Sequence, residues 1–492
     1  MSVEDPTELS AGRALPDSAL PAGAGAGLRR QRLSVAAVFV AAMFINIIDA
    51  TVVNVALPTI AVDLGVPLDQ TATINIGFLV AVAVAIPVAG WLGDRFGPRE
   101  VFLVALAAFT LASAACGVAQ TVSQLVLFRI VQGLAGGLMT PVGMAMLYRT
   151  FPPAERVRMS RIINVPIALA PTLGPVLGGL LVQQASWRWI FGINVPIGIL
   201  AITFTVVMVR PLSKGTRTSF DTGGFLLAGA GFAGVMFAVS EGPSRGWGDP
   251  LILVTGLVGV VLLVVFVPVE LRRTSPMLDL RLFISRMFRS ANLITLCSAA
   301  GFLGALFVYP LMLQSAFGYG PLEAGLLTFP EAIGILIGTQ IASRLYRPIG
   351  PRRLIAAGQA LVCLVLVAIA LVMSPSTPHA VAVLLMTLLG YGQSHTFMPI
   401  QAAAFDTVPR SKVGAGTALY NATRQAGAAV GVALAATVIG LIGVPTEAAE
   451  AVVPFRWALV ALAVLPLLGS LLALFTMHDE DAAPSRGLAP VG

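Results

Sequence analysis

Gly90-Trp91-Leu92-Gly93-Asp94-Arg95-Phe96-Gly97-Pro98-Arg99-Glu100 is a short polar break between two long apolar stretches. Its core, Gly97-Pro98-Arg99, returns 253 residues later as Gly350-Pro351-Arg352, again between apolar stretches. Working outward from both copies gives the same arrangement. Apolar segments of about 20 residues, the length that crosses a bilayer as helix, are separated by brief basic loops. Fourteen such spans are predicted, at 34–57, 71–92, 101–119, 124–146, 162–184, 190–210, 222–240, 251–270, 290–314, 323–343, 354–373, 380–401, 413–442 and 454–476. The first and ninth begin 256 residues apart. The chain therefore divides into a tail (1–33), a six-helix half (34–210), two inserted spans (211–289), a second six-helix half (290–476) and a tail (477–492). Duplicated helical halves facing each other are a transporter architecture, with the solute site near the bilayer midplane between them.

Composition supports the same reading. Hydrophobic residues make up 57% of the 492 and charged residues 11%, against roughly 25% charged in soluble domains. The net charge of +7 could signal a nucleic-acid partner, but the basic residues form no continuous face. Of the 30, 25 fall in the two tails and the loops on their side. Arg188, Arg245 and Arg456 lie on the other side, and Arg129 and Arg424 lie within spans. By the positive-inside rule both tails are cytoplasmic, in a multi-pass protein of the cell membrane. Residues 1–33, rich in Pro, Gly and Ala, read as a disordered tail, and Glu4, Asp5, Glu8 and Asp17 ahead of any apolar run argue against a cleaved signal peptide.

The sequence offers no enzyme chemistry. Neither Lys214 nor Lys412 follows a glycine, so there is no phosphate loop, and none of His379, His395 and His478 is followed by Glu as a zinc protease requires. Cys116, Cys297 and Cys363 lie inside apolar spans at unrelated spacings and form neither a metal cluster nor a disulfide framework. Gly229-Ala230-Gly231-Phe232-Ala233-Gly234 matches a dinucleotide fingerprint, but it lies inside an apolar span with no preceding strand. A small-residue face for helix packing is the better reading. No cofactor and no metal are expected, and energy is expected to come from a gradient or a partner.

In the opening loop, Gly90 and Gly97 allow close helix approach. Asp94 can face the positive end of the third span, while Arg95 and Arg99 reach acids or helix C-termini. Such a cluster forms a charge latch that closes one face. The stretch resembles the loop signature of the major facilitator superfamily. Arg129-Ile130-Val131-Gln132-Gly133, continuing to Gly136 and Gly137, resembles that superfamily's fourth-span motif, and Gly174-Pro175-Val176-Leu177-Gly178-Gly179 resembles the fifth-span motif of its antiporters. Asp49-Ala50-Thr51-Val52-Val53-Asn54-Val55-Ala56-Leu57-Pro58 is similar to the first span of the fourteen-span drug–proton antiporter family. Trp187-Arg188-Trp189-Ile190-Phe191 with Asn194-Val195-Pro196, and Asn421 with Arg424-Gln425, match that family too. The second loop copy departs from the signature, with Arg347 where Asp94 stands in the first, so the latch is expected to be asymmetric.

Charges inside spans are costly and mark function by default. Asp49 lies midway along the first span and Arg129 about six residues into the fourth. An acid whose surroundings alternate between an apolar lining and an arginine gains and loses its proton, so the pair is the candidate proton-coupling site, as the resemblance also implies. The alternative is a structural pair that pins two helices. Asn46, Glu331, His395, Asn421, Arg424 and Gln425 are the candidate substrate-cavity residues. Glu331 either faces the cavity or snorkels outward, and His395 is either a relay or a hydrogen-bonded core group. Gly174, Gly178 and Gly179, with Pro166, Pro171 and Pro175, predict a bent, tightly packed fifth helix. The expected function is proton-driven export of hydrophobic or amphipathic compounds, such as drugs or antibiotics. The rivals are export of a lipid, siderophore or endogenous metabolite, and a non-transporting membrane sensor.

Overall fold

The computed structural model describes residues 22–482 apart from position 67, most of 153–176, and 183, 213–218, 274–275, 410–411 and 444–450. Helices account for nearly all of it: α1 (Ala22–Asp63), α2 (Leu68–Phe96), α3 (Pro98–Gly117), α4 (Val122–Thr150), α5 (Asn194–Met208), α6 (Thr222–Arg245), α7 (Pro250–Arg272), α8 (Arg286–Ser315), α9 (Pro330–Ile349), α10 (Pro351–Val372), α11 (His379–Ala404), α12 (Val413–Ile442) and α13 (Val453–Thr476).

Among the described residues twelve helical stretches are long and apolar enough to cross a bilayer. The expected count of fourteen differs in two places. The fifth span falls mostly outside the described residues. The twelfth is α11, a 26-residue helix in which Gln393, Ser394, His395, Thr396 and Gln401 dilute the apolar content. The tail boundary also moves. α1 reaches back to Ala22, so residues 22–33 are helical where a disordered tail was expected. Their polar side chains find partners there: Gln31 exchanges hydrogen bonds with the backbone of Arg210 (3.0 and 3.3 Å), and Arg32 pairs with Glu155 at 2.8 Å.

Local chemistry sets the helix starts. Thr121, Asp221, Asp249 and Ser285 cap α4, α6, α7 and α8 through side-chain oxygens that accept from free backbone N–H groups. In both copies of the repeated loop the glycine has positive φ, 103° at Gly97 and 85° at Gly350, and the proline after it opens the next helix. Only glycine adopts that backbone readily, and proline fits the first helical position. The repeat is therefore a repeated turn.

Small residues set the packing. A side chain at Gly133 or Gly137 would strike the backbone of Phe78 or Val82, which puts α4 directly on α2. Gly427 and Gly431 do the same for α12 on α8, against Leu296 and Ala300. The fingerprint-like run in α6 serves packing too: Gly231 and Gly234 lie against Gly259 and Thr255 of α7. Of the inserted pair, α6 packs against both α2 and α12 and so lies across the seam between the halves. α7 lies outside α6 and exposes Leu253, Val254, Leu257 and Val264. The starts of α1, α3, α8, α10 and α12 and the ends of α2, α4, α5, α9, α11 and α13 gather at one end of the bundle, termed here the arginine-rich face.

Candidate functional site

Among the described residues two charged side chains inside the apolar bundle have no exposure at all, Asp49 on α1 and Arg129 on α4. They are paired. Asp49 Oδ2 accepts from Arg129 Nη1, and Oδ1 accepts from Gln132 Nε2 and Asn194 Nδ2, each at 2.8 Å. Arg129 Nη1 also donates to Gln132 Oε1 at 3.0 Å. Asn194, the first residue of α5, donates on to Ser113 Oγ of α3 (3.0 Å), which donates to the Phe191 carbonyl (3.0 Å). Among the described residues the remaining guanidinium nitrogens, Nε and Nη2, make no hydrogen bond. Instead the Phe78 ring covers the group, its centroid 4.0 Å from Cζ, a cation–π contact inside an apolar shell.

One carboxylate thus ties α1, α4 and α5 together, and Asn194 carries the network on to α3. Asn194 opens α5 and Arg129 lies seven residues into α4, so the network is on the order of 10 Å in from the face opposite the arginine-rich one. Gln132, Asn194, Ser113 and Phe78 had no assigned role in the sequence reading. Gln132 could have been found, because it shares a helix face with Arg129 at i+3. The others come together only through tertiary packing.

The remaining candidate residues divide by location. Asn46 lies one turn from Asp49 against Gly136, and its Oδ1 has no hydrogen-bond partner among the described residues. Glu331 is buried in the first turn of α9, 3% exposed, with no hydrogen bond or ion pair among the described residues. It does not reach the surface. His395 Nδ1 pairs with the Tyr391 carbonyl at 2.8 Å and its ring lies on Tyr391, the arrangement of a hydrogen-bonded core group. Asn421 donates to Met144 Sδ (3.1 Å) and to the Thr417 carbonyl (2.8 Å). Arg424 is half-buried with no carboxylate partner among the described residues, and Gln425 lines a narrow crevice where α2, α6 and α12 meet. Pro175, Pro166 and Pro171 lie outside the described residues. Gly174 and Gly178 lie against Thr51 and Val52 of α1, just beyond Asp49, while Gly179 meets open space.

At the arginine-rich face the halves are closed on each other. The Gly90 position of α2 abuts the Gly414 backbone of α12. Asp94 pairs with Arg149, and its carboxylate lies against Gly414, at the positive N-terminus of α12 rather than that of α3. The difference arises because the Asp94 side chain turns toward the other half, away from the start of α3 that follows in the chain. Arg99 reaches a helix C-terminus as expected, donating to the carbonyls of Val209 (2.7 Å) and Val206 (3.1 Å). Arg95 is exposed, and Gly97 makes the turn. Tyr148 Oη donates to the Gln401 carbonyl (3.1 Å), and its ring stacks on Phe405 with centroids 4.2 Å apart.

On the opposite face Asp63 ends α1. Its Oδ2 accepts from Trp187 Nε1 (2.8 Å) and Arg188 Nη1 (2.7 Å). The hydrogen bond from Trp187 and then that from Arg188 hold this carboxyl below its ordinary range. This explains the Trp187-Arg188 pair structurally, and Asp63 was missed because an exposed acid at a helix end carries no signal.

Comparison with known proteins agrees with this geometry. A family model described as Major Facilitator Superfamily matches residues 39–432 and 291–490. The uncharacterized MFS-type transporter YhcA of Bacillus subtilis is 32% identical over 406 residues, which cover 82% of this chain and 76% of that protein. The multidrug resistance protein B homolog of Mycobacterium tuberculosis is 33% identical over 410 residues, 82% of this chain and 75% of that one. Among solved structures, the human organic anion transporter MFSD10 (TETRAN) superposes with a TM-score of 0.61 at 16% identity, covering 90% of this chain and 99% of that one, a likeness of fold.

Proposed function

The chain belongs to the Major Facilitator Superfamily, and from that premise we propose that it is a proton-coupled antiporter exporting hydrophobic or amphipathic compounds by alternating access. One observation carries the reading: a carboxylate with no exposure, Asp49, faces a guanidinium with no exposure, Arg129, inside an apolar bundle. Removing charges from water is costly, and intramembrane pairs of this kind mark proton or substrate pathways. The name of the Mycobacterium tuberculosis relative supports a drug-like cargo.

The cycle follows from what each group holds. With Asp49 ionised, Arg129, Gln132 and Asn194 bind α1, α4 and α5 together. A proton arriving at Asp49 cancels the ion pair, loosens α1 from α4 and frees Arg129, so the lobe can change shape. Loss of that proton toward the cytoplasm restores the pair. The arginine-rich face, cytoplasmic by the positive-inside rule, is closed in this conformer. Opening it requires separating Tyr148 from Phe405 and Asp94 from the start of α12. Glu331, a buried acid with no partner among the described residues, suits a cargo that brings positive charge.

The test is transport in reconstituted vesicles under an imposed pH gradient, with a panel of lipophilic cations and neutral amphipathic dyes. The wild type moves at least one compound against its gradient, and Asp49→Asn inserts but does not. Normal gradient-driven efflux by Asp49→Asn removes Asp49 from the mechanism. No flux of any compound by the wild type favours a sensor on the same fold.

A further inference from the structure

The substrate path does not account for a groove of about 490 Å³ on the outside of the bundle, lined by Arg29, Arg30, Leu33, Ser34, Ala37, Phe204 and Met208. We propose that this groove, between the start of α1 and the end of α5, binds an anionic phospholipid.

Sequence spacing builds it. Positions 29, 33 and 37 and positions 30 and 34 fall on one face of α1, and 204 and 208 on one face of α5. Reciprocal hydrogen bonds between Gln31 and the backbone of Arg210 hold the two helices together beside it. The mouth is charged and the floor is not. Arg29 makes no hydrogen bond or ion pair among the described residues. Among the described residues the only acceptor for Arg30 is the Met208 thioether, 3.4 Å from Nη2, a weak partner for a guanidinium. Arg210 is exposed beside them. The nearby acids are engaged, Glu155 with Arg32 at 2.8 Å and Glu100 with Arg99 at 3.6 Å. Two to three guanidinium groups therefore lack an anion among the described residues, and a phosphate suits them, because their donor fork matches its oxygens.

What lies below selects a lipid over a soluble phosphate. Leu33 and Phe204 are part-exposed, and α5 continues away from the arginines through exposed Val207 and Leu200. From Met208 to Leu200 is about 12 Å of helix, an apolar track for an acyl chain under a headgroup at the level of Arg29 and Arg30. Ala37 is roughly 18 Å along α1 from Asp49, so the groove is separate from the buried pair and its occupancy does not depend on the transport reading.

The experiment is retention of phosphatidylglycerol and phosphatidylcholine by the purified full-length protein, titrated in detergent and read by native mass spectrometry. The wild type retains phosphatidylglycerol in preference. An Arg29→Gln/Arg30→Gln variant loses on the order of ten- to thirtyfold in apparent affinity, from two surface arginines near an anionic headgroup. An Arg344→Gln/Arg353→Gln variant, with the same charge removed elsewhere on that face, keeps it. Equal loss in both variants, or equal retention of the two lipids, overturns the proposal. So does a wild type that binds phosphatidylglycerol only after residues 2–21 are deleted, because the groove is then covered by the chain's own acidic N-terminus.

Discussion

If the buried ion pair is an energetic unit, charge removal at Asp49 and at Arg129 should be strongly non-additive. Asp49→Asn is a clean perturbation, because Oδ1 accepts from both Gln132 and Asn194 and an amide oxygen there keeps both bonds. What it removes is the anion facing Arg129, whose side chain has no exposure. Breaking a buried pair from one side costs about 3–5 kcal/mol, between two and four powers of ten in the ratio of folded to unfolded protein. Arg129→Gln should cost a similar amount by leaving the carboxylate unpaired. Together the two substitutions place neutral amides opposite each other, and no unpaired charge remains. The double variant should therefore lose less than the sum of the singles, by a coupling of about 2–3 kcal/mol, at the upper end for contacting residues. Unfolding in mixed micelles of rising SDS fraction, followed by tryptophan fluorescence, measures all four proteins. A double variant as unstable as the sum of the singles, or an Asp49→Asn protein as stable as the wild type, refutes the reasoning. The transport assay separates the roles: a structural pair predicts recovery of efflux in the double variant, and a proton carrier predicts none.

Other consequences follow from packing and charge. Gly90→Val places a side chain where even a Cβ would lie 2.9 Å from the Gly414 carbonyl. It should hold the arginine-rich face open and lower cross-linking between cysteines placed at Tyr148 and Phe405 severalfold. Gly174→Ala meets Thr51 Oγ1 at 2.0 Å and its Cβ at 2.9 Å, an overpacking cost of about 1–3 kcal/mol. Adding Thr51→Ala removes the nearer clash and should restore part of the melting temperature. Asp63 has its carboxyl lowered by Trp187 and Arg188, so its contribution is complete above the ordinary aspartate value near ~3.9 and is lost as pH falls below it. For so exposed a pair the effect is no more than about 1 kcal/mol. It is visible as an acid transition in Trp187 emission that Asp63→Asn abolishes.

The bilayer makes much of this chain legible. Hydrocarbon forces apolar helices of fixed length, so the α2–α3 and α9–α10 turns and the long α12 follow from hydropathy and a repeated Gly-Pro. Charge inside a span is scarce, so Asp49 and Arg129 can be paired on paper although 80 residues separate them. Neutral polar residues are not scarce. Asn194 stands in a family-like motif and Ser113 reads as an ordinary member of an apolar helix, but nothing in the one-dimensional pattern says that Asn194 meets Asp49 or that Ser113 meets Asn194. The same limit explains Asp94. Its charge and position are evident, but whether it meets the start of α3 or of α12 depends on how the halves dock.

That docking gives the two loop copies different tasks. In the first, the charge crosses between halves: Asp94 on α2 is held by Arg149 of α4 and presses on Gly414 of α12. In the second, Arg347 occupies the equivalent place, and the acid comes from beyond α13. Asp479 lies against Gly350 and accepts from the backbone N–H of Arg352 at 2.9 Å, serving the positive end of α10. Both partners of that contact belong to one half, so it survives any rigid-body separation of the two. The contacts that must break for the arginine-rich face to open therefore include those of the first copy, the Tyr148–Phe405 stack and the Asn421–Met144 contact, and do not include the second copy's Asp479 contact. Each half keeps the turn because glycine and proline are needed to reverse the chain there. The acid is free to differ because only one copy has to hold the other half and let it go.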